Sequence, residues 1–196
     1  MRKHQTFQTV VFRYLEKLKK KREPYMDNVT ILAEKIKGSL KSISSDLERI
    51  ADFKEAEAIK SDLLRSVNEI EEMIYNFFEN IDDFRELVND IEGLEIPPPP
   101  EILDSVLESL DAEQEILEEL LTLTRDFSKA ANYFIQNSKS SENPQDALDT
   151  KKEKLNDVIE SFSKFQTQVS KTTQELNRLV KSLSKKQKIS KAFDKL

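Results

Sequence analysis

Carboxylates are the densest chemical resource in this chain of 196 residues. Asp82, Glu86 and Asp90 recur at four-residue steps, and Asp111, Glu115 and Glu119 repeat the pattern. On a helix that spacing aligns oxygens along one face, where a hard cation such as Mg²⁺ or Ca²⁺ could bind. It is equally the look of any solvated acidic face, and no ligand of another residue class joins either set, so no metal site is assigned. His4 is the only histidine. A histidine general base, a Ser-His-Asp triad and a di-iron bundle built on Glu-x-x-His are therefore unsupported. With no cysteine there is no thiol nucleophile and no zinc-cysteine site. Gly38 and Gly93, the only glycines, stand alone, so no glycine-rich loop can cradle a phosphate. The expectation is a non-enzymatic protein without metal or cofactor.

Two basic segments remain. Lys19, Lys20, Lys21 and Arg22 follow an apolar stripe of Phe7, Val11, Tyr14 and Leu18, and Lys185, Lys186 and Lys188 precede the apolar Ile189 and Phe193. These basic residues and the stripe form the candidate interaction surface. A basic amphipathic helix can lie on an anionic membrane, and basic tails bind nucleic acid through its phosphates. The simpler arrangement packs the stripe on the rest of the protein and leaves the lysines in water, and it is the one favoured. Nucleic acid is disfavoured, because the basic residues are not interleaved with aromatic stacking platforms.

The elements that must position these residues are helices. Apolar residues recur at three- and four-residue steps through Leu32, Ile36, Leu40, Ile43, Leu47 and Ile50. A longer seam runs Leu63, Val67, Ile70, Ile74, Phe77, Ile81, Phe84, Val88 and Ile91 in the alternating rhythm of a coiled coil. A fourth stripe holds Leu103, Val106, Leu110, Leu117, Leu121, Phe127, Ala131 and Phe134, and a fifth runs from Leu148 through Phe162 and Phe165 to Leu183. Scarce glycine and scattered β-branched residues argue against sheets. No apolar run approaches the roughly 20 residues that span a bilayer. The basic start is not followed by a secretory apolar core, and it lacks the serine richness of a transit peptide.

Punctuation sets the boundaries. Pro24 is expected to break or kink the chain, with Asp27 capping the next helix. Gly93 sits where a left-handed C′ cap belongs, and Pro100 suits a first helical turn followed by Glu101 and Asp104. Asn143, Pro144 and Asp146 read as cap, N1 and N3 of a last helix. Between Gly38 and Gly93 the only turn signal is a capping box of Asp52 and Glu55. A turn at residues 51–56 is expected ahead of the alternative, in which residues 27–92 form one helix of ~65 residues, roughly 98 Å long. Prolines 97–100, at about 3.1 Å each, span ~12 Å, enough to join two helix axes about 8–10 Å apart. They read as a strut, with docking of a polyproline-binding domain as the lesser reading.

Residues 1–60 carry a net charge of +5, residues 61–120 carry −17 and residues 121–196 carry +6. In an up-down bundle both basic ends return to the pole of the proline turn, where the acid is their counter-charge. The fold expected is therefore all-α: an elongated antiparallel four-helix (up-down) bundle with an additional N-terminal amphipathic helix, the alternative being a long-helix coiled-coil rod. Residues 1–23 form the basic amphipathic helix, 24–188 the bundle with its strut at 93–100 and loop at 137–143, and 189–196 a basic tail. The function expected is a cytoplasmic protein–protein interaction or assembly module that binds a protein partner or a second copy of itself. The alternative is a peripheral lipid-surface binder acting through residues 1–23.

Overall fold

The computed structural model describes residues 7–50, 52–138 and 144–193, and the side chains of residues 9–185 apart from 51 and 139–144. The described residues are 93% helical and include no strand, so the all-α bundle is observed. Helix α1 spans Phe7–Glu34, a π-helical segment spans Lys35–Leu40, and α2 spans Lys41–Leu47. Helices α3, α4 and α5 span Phe53–Glu92, Pro100–Asn137 and Pro144–Phe193. Glu34, Leu40 and Lys41 all keep right-handed helical dihedrals, so α1, the π segment and α2 run on as one of four helical stretches.

The chain divides into two compact units, each taking one segment from every stretch. Unit 1 comprises Met1–Asp27, Phe78–Gln114 and Thr167–Leu196; unit 2 comprises Asn28–Phe77 and Glu115–Gln166. In unit 2, Lys35 pairs with Glu69, Arg125 with Glu71, Lys164 with Glu119 and Lys152 with Glu48. Each helical segment thus meets both of its sequence neighbours, and the first meets the last. Unit 1 closes the same ring. Lys21 pairs with Asp83, Arg85 with Asp111, the Thr172 hydroxyl lies 3.3 Å from the Ser109 carbonyl, and Arg22 donates to Asn177. This is the contact pattern of an up-down-up-down bundle. Unit 1 also holds both basic segments together with the acidic residues that flank the prolines, as the charge distribution anticipates.

Three boundaries behave as their residues dictate. The chain turns after Leu47, and Asp52 caps α3 by accepting the Glu55 amide at 2.8 Å, which excludes a single helix over 27–92. Pro100 opens α4 and Pro144 opens α5. Asn143 lies outside the described residues. Two boundaries differ from expectation. α1 does not break at Pro24, so residues 7–23 are not severed from the helix behind them. Pro24 is exposed, with the buried Leu18 before it and the buried Tyr25 and Val29 after it. Gly93 does not take the left-handed conformation; α3 ends by tightening, its Gly93 amide on Asn89 and its Leu94 amide on Ile91.

The π segment coincides with an irregularity in the apolar spacing. Around it the buried residues run Val29, Leu32, Ile36, Leu40, Ile43, Leu47, so two four-residue steps stand together where a heptad alternates three and four. Such a stutter unwinds the helix locally. Across the wider i→i+5 turns of the π segment both Ile36 and Leu40 stay at 0% exposure.

Phe77, Phe84, Phe127, Phe162 and Phe165 are all buried, with Phe77 edge-on to Phe165 in unit 2 and Tyr25 edge-on to Phe84 in unit 1. The stripes drift by one residue at four places. Leu15, Leu120, Ile135 and Val158 are buried, while Tyr14, Leu121, Phe134 and Ile159 are only half-buried. A seam has flanking positions on either side, and single-residue phase is settled by packing.

Candidate interaction surface

The structure separates the residues of the basic N-terminal segment. Val11 and Leu18 are core side chains of unit 1, at 0% and 2% exposure, and Leu15 joins them. Their apolar face is thus packed within unit 1, the arrangement favoured from the sequence, and is not presented to solvent. Tyr14 is half-buried beside Asp90 of α3, and burial, followed by the Asp90 charge, raises its phenol pKa. Lys21 and Arg22 are committed to Asp83 and Asn177, while Lys19, Lys20 and Lys185 remain exposed. The side chains of Phe7, Lys186 and Lys188 lie outside the described residues. On the solvent face of α1, Phe12 is exposed in a shallow groove that also holds Arg13, Lys19 and Lys20.

Three of the six carboxylates of the acidic triads pair with cations of the protein itself. Arg85 of α3 holds Asp82 at 3.1 Å, Asp111 at 2.6 Å and the Gln114 amide oxygen at 2.7 Å, joining one member of each triad across α3 and α4. Glu119 lies 3.6 Å from Lys164. Among the described residues no group of three metal-ligating side chains converges.

A recess of another kind lies in unit 2. The start of α3 and the end of α4 enclose a cleft of about 210 Å³ lined by Asp52, Phe53, Ala56, Glu57, Ile135, Gln136 and Ser138. Its size decides what it suits: cofactor and drug-sized sites occupy about 300–1,000 Å³, whereas this recess fits one or two side chains of a partner. Phe53 is 63% exposed at its rim, and Tyr133, one helical turn before Gln136, is 65% exposed. Large aromatics left in water around a well-packed recess are the usual chemistry of a protein-binding hot spot. Sequence reading passed over both because neither belongs to a seam. The available signal was Phe53 standing between charged neighbours in the first turn after the Asp52 cap.

Two ionisable side chains occupy seam positions and were also missed. Glu113 fills the step between Leu110 and Leu117 of α4, and Lys151 fills that between Leu148 and Leu155 of α5; both have 0% exposure. Burial is the leading cause in each case: it pushes Glu113 up to about 7 and Lys151 down to about 8. The signal was a gap in each stripe, filled by a charge at the three-residue step. No family model, curated protein or solved structure matches this chain.

Proposed function

We propose that the protein is a helical-bundle interaction module without enzymatic activity, which docks a protein partner at the cleft between the start of α3 and the end of α4. The observation that carries this reading is the pairing of exposed Phe53 with an adjoining recess the size of an anchoring side chain. The partner is a protein segment or a second copy of the chain, and the cytoplasm is the setting proposed, in keeping with the absence of cysteine. No helix among the described residues is long and apolar enough to cross a membrane.

A photo-cross-linking amino acid at position 53, in the chain expressed in its own cell, tests the proposal. The reading expects a discrete cross-linked protein that disappears when Ala56→Arg or Ile135→Arg blocks the recess. Identical adducts with and without the blocking substitutions would contradict it.

The second reading is a lipid-surface binder acting through α1. Exposed Phe12 among Arg13, Lys19 and Lys20 favours it. Against it stands the burial of Val11, Leu15 and Leu18, since a face packed in its own unit cannot enter a bilayer. The lipid reading expects co-sedimentation with anionic vesicles at physiological salt; the interaction reading expects none.

A further inference from the structure

Glu113 plays no part in the cleft, and its surroundings do not resemble those of a surface carboxylate. It is fully buried in the seam of α4, and neither carboxyl oxygen completes a hydrogen bond; the Thr172 hydroxyl is the one donor near enough to favour its ionised form. An unpaired ion in an apolar core has neither solvent nor counter-charge to offset its desolvation, so the neutral acid is strongly preferred there. Donors on α5 are engaged elsewhere. The single Thr172 hydroxyl proton is shared between the Ser109 and Gln168 carbonyls, at 3.3 Å and 3.2 Å, and the Gln168 amide donates to Ser109 at 3.0 Å. Ser109 lies one helical turn before Glu113, so a single backbone carbonyl collects the donors that an ionised Glu113 would need.

We propose that Glu113 is a proton-operated latch of unit 1: protonated, it sits in the seam as a neutral side chain and the four segments close on it; ionised, it draws Thr172 away from Ser109 and loosens their packing. The charged groups of the neighbouring elements do not counter this. On α1, Lys21 is held by Asp83, Arg22 is on Asn177, and the titratable Tyr25 packs on Phe84. On α3, Arg85 is occupied by Asp82, Asp111 and Gln114. On α5, Arg178 is on Glu175, and Lys171 and Glu175 line an open groove with Ser109 and Gln168. None of them alters the proton affinity of Glu113, which burial raises and the Thr172 hydroxyl alone lowers.

The direction in pH is set by linkage. Folded Glu113 titrates near 7 and its unfolded counterpart near 4.5, so between those values the folded unit holds the proton more tightly. The stability that the proton confers is complete below pH 4.5 and is lost as pH rises towards 7, by on the order of 10²-fold in the opening equilibrium.

Carboxyl ¹³C titration of Glu113, with amide hydrogen exchange on the wild type, Glu113→Gln and Glu113→Leu, tests the latch. The expected midpoint is near 7. Amides of Val106, Leu110, Val169 and Leu176 should lose protection between pH 5 and 8, by on the order of 10²-fold more in the wild type than in either variant. Those of Leu63 and Phe127 in unit 2 should not share the Glu113-dependent loss. A midpoint near 4.5, or one pH dependence common to all three chains, would overturn the proposal, as would equal loss in both units. The wild-type titration stands even if one variant fails to fold.

Discussion

The buried ammonium of Lys151 donates to the Ser44 backbone carbonyl at 3.2 Å and lies 5.4 Å from the centre of the Phe134 ring. The contact explains why a lysine occupies a seam position in α5. α2 ends by tightening, its Glu48 and Arg49 amides turning to Ser45 and Asp46, which leaves the Ser44 carbonyl without its helical partner. Lys151 caps that carbonyl from another helix, at the end of the helix dipole that favours a cation. The aromatic face adds a further electrostatic contact.

Lys151→Ala should therefore lower stability by about 1–3 kcal/mol, since it orphans a buried carbonyl and opens a cavity at once. The wild type should also show a pH signature. Folded Lys151 titrates near 8, below its ordinary value of 10.5, so the unfolded chain holds the proton more tightly across that window. Stability should rise between pH 8 and 10.5 in the wild type, and the rise should vanish in Lys151→Met. Urea unfolding at a series of pH values measures both effects.

Glu113 contributes the opposite slope. At pH 7.5 Glu113→Leu should be more stable than the wild type by up to about 3 kcal/mol, because it removes a desolvated acid from an apolar seam. At pH 4 the gain should shrink towards zero. Thermal unfolding at the two pH values decides the matter, and a gain of equal size at both would assign it to packing alone.

The aromatic core of unit 2 gives a third expectation. Phe165 is buried at 0% exposure between Phe77 and Phe162, with ring centroids 5.2 Å and 6.2 Å away. Phe165→Ala should cost about 3–5 kcal/mol in urea unfolding. A change below ~1 kcal/mol would mean that the seam is not packed as described.

Gly38 supplies a stabilising substitution. A Cβ built there meets nothing within 4 Å, and the backbone does not need a positive φ. Gly38→Ala should raise stability by about 0.5–1 kcal/mol through reduced freedom of the unfolded chain. Calorimetry showing a loss would mean that the π turn itself requires glycine.

Much of the fold could be read from the residues. The seams located the buried phenylalanines, the Asp52 capping box located the turn before α3, and Pro100 and Pro144 located two helix starts. What escaped depends on three-dimensional context. Pro24 reads as a breaker, yet α1 continues through it, with Leu18 buried before it and Tyr25 and Val29 buried after it. Glu113 and Lys151 drew no attention in the sequence because charged residues belong in water; only packing reveals that their heptad positions turn inward. The cleft beside Phe53 brings together residues some eighty positions apart, and no local pattern encodes that meeting.

The central claim is that Val11, Leu15 and Leu18 of α1 belong to the core of unit 1, leaving recognition to other surfaces. The most direct test is the urea midpoint of the full chain against a chain lacking residues 1–23. Removing Val11, Leu15 and Leu18, each buried to 5% exposure or less, should lower stability by several kcal/mol, at about 1.5–3 kcal/mol per side chain, and shift the midpoint clearly downward. An unchanged midpoint would contradict the claim: α1 would then be a free arm, and the lipid-surface reading would take precedence.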